Sequence, residues 1–143
     1  MGKTRKASAE WKGGIRTGSG SLKTESGVLG APYNFSGRFE DGGGTNPEEL
    51  LAAAEAGCYS MALSGNLERA GKPATRISTD AACTVEKAEA GFKVTTMHLT
   101  VRASVPGMQN DEFQRIAATT KDTCPISGVM KGNVNITLDA QLA

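Results

Sequence analysis

Three cysteines carry the most reactive side chains of this sequence: Cys58, Cys83 and Cys124. The thiolate, and not the thiol, acts as nucleophile and metal ligand, so each cysteine is judged by what could ionise it. Cys124 directly precedes Pro125, a helix-starting position whose free N–H groups favour a thiolate. Cys58 lies in the middle of a predicted helix and needs a separate cation. Both are candidates for a reactive thiol, whereas Cys83 falls on the apolar face of a predicted strand and is typical of a packing residue.

Other chemistries that use cysteine are disfavoured by spacing. No two cysteines form a C-x₂₋₄-C pair, which argues against a zinc site built with His98. His98 is the only histidine, and it lies on the polar face of its predicted strand, which argues against a Cys–His hydrolase. A Cys-x-x-Cys motif is absent from the sequence. A thiol enzyme and a non-catalytic stress or binding protein with inert cysteines stay open, with a hydrolase and a zinc protein behind them.

Cys58 is positioned by a long predicted helix around which the chain is organised. Asn46 is a good N-cap, Pro47 suits the first helical position, and Glu49 can complete a capping box. Gly71-Lys72-Pro73 is a stop signal. The middle of this helix is mostly Ala and Gly, a pattern typical of a helix buried on several sides. Three- and four-residue spacing places one stripe of residues together on it: Leu51, Ala54, Cys58, Met61 and Gly65.

The remaining segments predict an α+β fold with antiparallel sheets packed around that helix. Two short strands are predicted early in the chain, followed by an irregular segment over 28–39. Two alternating strands come after the helix, with a bulge near Thr95, then a helix from about Asp111 and a short helix from Pro125. Strict alternation from Val134 to Leu142 predicts a final strand.

Length and composition bound the protein class. The 143 residues predict a single domain over 1–143, and 18 glycines with 5% aromatic residues predict a thin core that a homodimer would complete. A net charge of +1 favours no nucleic-acid partner, and no stretch is long enough to span a membrane. Residues 1–7 are predicted to form a flexible basic tail, because no apolar run of a signal peptide follows them. Three cysteines without such a signal fit a cytoplasmic location.

Several motifs together resemble the OsmC/Ohr family, and most closely its OsmC branch. The resemblance covers essentially the whole chain. The segments that carry it are Gly37–Glu40, Gly44–Leu50, Ala56–Leu63 and Cys124–Ser127. An Asn-Pro-Glu motif combined with two cysteines at this separation is far more specific than either cysteine alone.

The resemblance implies a peroxidase that reduces organic hydroperoxides to alcohols in oxidative or osmotic stress defence. By the same resemblance Cys58 is the peroxidatic cysteine, Cys124 the resolving cysteine that forms a disulfide with it, Arg38 the activating arginine and Glu48 its carboxylate partner. No metal, haem or flavin is implied, and the expected reductant is an external dithiol similar to dihydrolipoamide, free or on a lipoylated protein. Apolar walls that include Leu51 and Met61 are expected to favour alkyl and fatty-acyl hydroperoxides.

Helix arithmetic adds an expectation about assembly. Glu48 and Cys58 are ten residues apart, or roughly 15 Å along a straight helix, so one Arg38 cannot bridge both within one chain unless the helix bends. Two central helices packed antiparallel near Ala53 would place each Cys58 beside the Glu48 of the other copy. The sequence therefore predicts an intertwined homodimer with shared active sites.

Overall fold

The structure is a computed structural model that describes residues 2–143. Two compact units divide it, residues 2–50 and residues 51–143. The elements in chain order are β1 (Ala7–Lys12), β2 (Ser19–Thr24), β3 (Gly30–Tyr33), α1 (Phe35–Phe39), α2 (Pro47–Arg69), β4 (Arg76–Ala88), β5 (Gly91–Ser104), α3 (Asn110–Thr123), α4 (Pro125–Met130) and β6 (Asn135–Leu142). The α+β class predicted from the sequence is confirmed.

The first unit is built on an antiparallel sheet in the order β1-β2-β3. The rings of Trp11 and Tyr33 pack 5.4 Å apart over it. Gly20 lies beneath these rings, because a Cβ there would come within 2.5 Å of Tyr33 and 2.6 Å of the Glu10 carbonyl oxygen. β3 and α1 replace the irregular segment expected over 28–39. Asn34 caps α1 by accepting a 2.7 Å hydrogen bond from the Gly37 N–H.

The basic N-terminal segment is partly held by the sheet. Ala7 pairs with Thr24 at the end of β2. The carbonyl of Lys6 accepts a 2.9 Å bond from the Glu25 N–H. Lys6 and Ala7, within the tail predicted for residues 1–7, thus make backbone hydrogen bonds or pairs with the sheet, and Met1 lies outside the described residues.

Both ends of α2 use the predicted signals. Pro47 is the first residue of the helix, and the Asn46 side chain accepts a 2.8 Å bond from the Glu49 N–H. The Glu49 carboxylate accepts from the Thr45 hydroxyl at 2.5 Å instead of closing the expected capping box. At the other end Gly71 has φ +77°, and the Lys72 N–H donates to the Leu67 carbonyl at 3.0 Å, as in a Schellman motif.

One face of α2 lies in the core of the second unit. The fully buried apolar residues of this face are Tyr59, Leu63 and Leu67. The predicted stripe lies off its centre, because Leu51, Cys58 and Gly65 are half-buried while Ala54 and Met61 are exposed. The sequence of α2 has small apolar residues on every face of the helix. The pattern therefore indicated that the helix is buried, but not which of its faces is buried most deeply.

The long hairpin β4–β5 forms the sheet of this unit. The alternating apolar residues of β5 and the residue that follows it are all buried: Met97, Leu99, Val101, Ala103 and Val105. Thr84 pairs with Thr96 and Val85 with Val94, so Thr95 is the extra residue of a bulge. The bulge predicted near Thr95 is confirmed.

The last strand differs from the antiparallel pairing expected for every sheet. β6 pairs with β5 in parallel, with Leu99 opposite Leu138. A parallel pair requires a long crossover, and α3 and α4 supply it between the two strands. The apolar alternation of β6 was correctly predicted, but alternation specifies a strand's faces and not its direction.

Candidate active site

Two of the three cysteines meet in the second unit. The Sγ atoms of Cys58 on α2 and Cys124 before α4 are 2.9 Å apart, with the Cys124 thiol donating to Cys58. Both are free thiols in this structure. A disulfide bond is about 2.05 Å long, so these sulfurs need only a short approach to become bonded. The structure thus brings together two residues that are 66 positions apart in the sequence.

Cys124 is held at a junction between two helices. Its N–H donates to the Thr120 carbonyl at 2.9 Å and closes α3, while its own carbonyl accepts from the Gly128 N–H at 2.9 Å and opens α4. Pro125 follows at the first position of α4. Only 1% of Cys124 is exposed. The thiol is therefore fixed by backbone bonds on both sides and shielded from solvent.

The surroundings of Cys58 within residues 51–143 oppose its ionisation. Burial raises the pKa of the Cys58 thiol, and the neighbouring Cys124 and the charge of Glu55 raise it further. A hydrogen bond from the Ile126 backbone acts in the opposite direction and lowers this pKa. Ionisation of Cys58 near neutral pH therefore needs a cation from elsewhere.

An arginine with a defined orientation lies in the first unit. Arg38, in the last turn of α1, holds Glu48 through two nitrogen atoms, with Nε 3.0 Å and Nη2 2.8 Å from Oε1. Glu48 lies in the first turn of α2 and is 7% exposed. The guanidinium also lies 5.0 Å from the centroid of the Phe39 ring. The predicted Arg38–Glu48 pair is present, while its action on Cys58 stays a prediction.

The other residues singled out from the sequence do not form one cluster with the two cysteines. Leu51 and Cys83 are half-buried and pack against the core of the second unit. Met61 is 79% exposed in the single chain. His98, exposed on β5, shares a 2.6 Å hydrogen bond with the Thr137 hydroxyl of β6. Among residues 2–143, no cluster of three or more His, Cys, Asp or Glu side chains could hold a metal ion.

Sequence reasoning did not assign a role to the buried acid Glu55. Its side chain is fully buried, and its Oε1 accepts a hydrogen bond from the Ser127 hydroxyl of α4. Tyr59, next to Cys58, donates a 3.0 Å hydrogen bond to the Ala117 carbonyl. The signal for Glu55 was available: it is the one charged residue in the apolar middle of α2, three positions before Cys58.

Comparison with known proteins identifies the family. The sequence model described as OsmC-like protein matches residues 40–139. "Peroxiredoxin OsmC" of Escherichia coli strain K12 is 47% identical over 96% of this chain and 96% of its own. "Organic hydroperoxide resistance protein" of Xanthomonas axonopodis pv. citri is 31% identical over 77% of this chain and 75% of its own. The chain belongs to the OsmC-like family, as the sequence motifs indicated.

Solved structures show the same fold. An organic hydroperoxide resistance protein from Elizabethkingia anophelis superimposes with a TM-score of 0.77 at 24% identity, covering 100% of both chains. OhrB of Bacillus subtilis superimposes with a TM-score of 0.72 at 23% identity, covering 95% of this chain and 98% of its own. At these identities the structural likeness establishes the fold alone. Among residues 2–143, no helix is long and apolar enough to cross a membrane.

Proposed function

We propose that this chain is a cysteine-based peroxidase that reduces organic hydroperoxides to alcohols in oxidative and osmotic stress defence. The observation that carries the proposal is the 2.9 Å contact between the sulfurs of Cys58 and Cys124. Relatives named as a peroxiredoxin and as organic hydroperoxide resistance proteins support the same activity. The two thiols together supply the two electrons that reduction of one peroxide requires.

The reaction proceeds in two steps at the sulfur pair. The Cys58 thiolate attacks the peroxide O–O bond, which releases an alcohol and leaves a sulfenic acid on Cys58. The Cys124 thiol then condenses with the sulfenic acid to form a disulfide and water. An external dithiol, similar to dihydrolipoamide or carried by a lipoylated protein, reduces the disulfide. The thiols perform this chemistry without a metal, haem or flavin.

Arg38 supplies the charge that ionises Cys58. A thiol whose pKa is raised by burial becomes a thiolate at neutral pH only beside a cation. The two bonds to Glu48 fix the guanidinium of Arg38 in one plane, so that a remaining N–H can face a sulfur or a peroxide oxygen. Glu48 thereby acts as the residue that orients Arg38.

A homodimer with shared sites satisfies the geometry of α2. The helix is continuous from Pro47 to Arg69, so Glu48 and Cys58 are separated by roughly 15 Å of helical rise. The face of α2 that is exposed in the single chain carries Ala53, Ala54, Gly57 and Met61. A Cβ added at Gly57 would meet no atom within 4 Å. A second α2, antiparallel and crossing near Ala53, would cover this face and bring its Glu48 and Arg38 beside Cys58.

The walls of this site set the substrate class. Leu51 and Cys58 both pack against the core of the second unit, and the second copy would enclose Met61. Such walls favour alkyl and fatty-acyl hydroperoxides, whose chains lose water on binding, over hydrogen peroxide. Two thiols kept reduced between cycles fit a cytoplasmic location, where dithiol reductants are available.

The proposal is tested by intact-mass measurement after one equivalent of tert-butyl hydroperoxide. Wild-type protein is expected to lose two hydrogen atoms by disulfide formation, and a thiol reductant should reverse the change. Cys58→Ser should consume no peroxide, whereas Cys124→Ser should gain one oxygen atom and then stop. Cys83→Ser is the matched control and should behave as wild type.

A non-catalytic protein with inert cysteines is the second candidate. The raised pKa of Cys58 within residues 51–143 is the observation that favours it. An unchanged mass after peroxide treatment would support this candidate over the peroxidase. Equal peroxide consumption by Cys58→Ser and Cys124→Ser would contradict the two-step mechanism at the sulfur pair.

A further inference from the structure

Glu55 is a buried acid that the two-thiol chemistry does not use. None of its surface is exposed, its Oε1 accepts from the Ser127 hydroxyl, and its Oε2 has no hydrogen-bond partner in the described protein. Burial of a carboxyl with an unpaired oxygen is destabilising, because water is lost and only one oxygen is compensated. Packing alone gives no reason for an acid here, since Leu or Met would fill the space without that cost.

The Glu55 carboxyl and the two sulfurs lie where α2 meets the start of α4. Glu55 and Cys58 are three residues apart on α2, so they project from the same side of the helix. Ser127 follows Cys124 by three residues, at the start of α4. The Glu55–Ser127 hydrogen bond and the Cys58–Cys124 contact therefore join the same two elements side by side. When Glu55 is ionised, its charge also raises the pKa of Cys58 and of Tyr59, which is consistent with a short separation.

Disulfide closure poses a problem of proton transfer. The Cys124 thiol must lose its proton as its sulfur attacks, and the oxygen on Cys58 must gain one as it leaves. The overall step releases one water and no proton to solvent. Because Cys124 is 1% exposed, bulk water has little access to its thiol, whereas Cys58 is half-buried. A buried acid–base group would move the proton directly.

The other groups around the sulfurs are poorly suited to this task. The Tyr59 hydroxyl is already engaged with the Ala117 carbonyl at 3.0 Å, and burial raises its pKa even further above neutral. The inner face of β5 contributes only apolar side chains. Lys121, Asp122 and Lys131 line a cavity of about 160 Å³ that reaches Ser127, not the sulfurs. Burial raises the pKa of Glu55 above its ordinary value, which favours the protonated acid that this step requires.

We propose that Glu55 is the proton-transfer residue for closure of the Cys58–Cys124 disulfide and that Ser127 holds its carboxyl in place. This inference rests on the proposed peroxidase function. As the Cys124 sulfur donates its electron pair to Cys58 Sγ, the S–O bond of the sulfenic acid breaks. Glu55 gives a proton from Oε2 to the departing hydroxyl, which leaves as water. The proton released by Cys124 restores the acid, so Glu55 is unchanged over the step.

Glu55→Gln separates proton transfer from packing, since the amide keeps the shape and can accept from Ser127 but cannot carry the proton. After one equivalent of tert-butyl hydroperoxide, acid-quenched samples are followed by intact mass. We expect the variant to gain its oxygen atom at a rate near wild type and to lose water into the disulfide about 100-fold more slowly, the usual scale of general acid–base catalysis. Its closure rate should also lose the pH dependence of the wild type.

Ser127→Ala is the matched control, because it removes the hydrogen bond and keeps the acid. It should slow closure less and retain the wild-type pH profile. In wild-type protein, closure should be slower in D₂O than in H₂O, a measurement that does not depend on any variant folding. Closure by Glu55→Gln at the wild-type rate, identical profiles for both variants, or no solvent isotope effect would overturn the proposal. Absence of any oxygen gain on wild-type Cys58 would instead refute the peroxidase function itself.

Discussion

Arg38 offers a guanidinium that is already oriented before any substrate binds. Its Nε and Nη2 both contact Glu48, which leaves the outer edge of the planar group free to face an anion. A lysine carries the same charge but cannot make this two-point contact. Orientation by Glu48, and not charge alone, is therefore what the pair contributes to the proposed activation of Cys58.

Substitution Arg38→Ala should raise the pKa of Cys58 and slow its reaction with peroxide, with little effect on folding. A tenfold change in the acid dissociation constant of the thiol corresponds to about 1.4 kcal/mol of lost thiolate stabilisation. The pH profile of Cys58 alkylation measures this change. Arg102→Ala is a fitting control, since its side chain is 37% exposed against 38% for Arg38 and it also pairs with a carboxylate, Asp139. Identical alkylation profiles for wild type and Arg38→Ala would remove Arg38 from the proposed role.

The helices and strands could be predicted from local sequence patterns. Asn46, Pro47 and Gly71 begin and end α2 where capping chemistry predicts, and alternation marks the buried face of β5. The same rules do not reach contacts between distant residues. Nothing in the alternation of β6 distinguishes parallel from antiparallel pairing with β5, and nothing near Cys58 or Cys124 indicates that their sulfurs touch. Those features depend on tertiary packing, so the motif resemblance pointed to the cysteine pair and local physics did not.

Gly20 gives a prediction at the scale of a single sheet. A Cβ at this position in β2 would collide with the Glu10 backbone and with both rings that pack over the sheet. Gly20→Ala should therefore lower the free energy of unfolding by about 1–3 kcal/mol, as overpacking usually does. Urea denaturation measures the change. Gly30→Ala on the neighbouring strand is the control, because its Cβ would meet no atom within 4 Å and should be neutral or slightly stabilising. Equal stability of both variants would contradict the packing argument.

Assembly decides whether one chain can contain a whole site. Sedimentation is expected to show a dimer, and a fully active monomer would refute it. Mixing an inactive Cys58→Ser chain with an inactive Glu48→Ala chain, after unfolding and refolding together, should restore activity because each heterodimer would hold one intact shared site. The control mixes Cys58→Ser with Cys124→Ser. Both cysteines of a pair belong to one chain, so no chain in this mixture has an intact pair and its activity should not recover. A mixture that stays inactive would confine each site to one chain.

The buried carboxyl of Glu55 has a consequence for the energetics of the whole molecule. Because burial raises its pKa, the folded chain keeps a proton that the unfolded chain releases above the ordinary carboxyl value of about 4.3. The free energy of unfolding should thus decline as pH rises from that value to the raised pKa and level off above it. The decline amounts to about 1.4 kcal/mol for every pH unit between the unfolded and the folded pKa. Asp139, whose pKa Arg102 lowers, acts at lower pH and in the opposite direction.

Glu55→Gln should abolish that decline, and calorimetry can detect its origin. Within this pH window the folding of the wild type takes up a proton from the buffer. Its unfolding enthalpy should then differ between acetate and MES, which both buffer just above the ordinary carboxyl value and have different ionisation enthalpies, while the variant should show a smaller difference. Equal buffer dependence in the two proteins would show that the acid is ionised in the native state. The protonation state of the carboxyl near the two sulfurs could thus be measured by calorimetry, without any peroxide present.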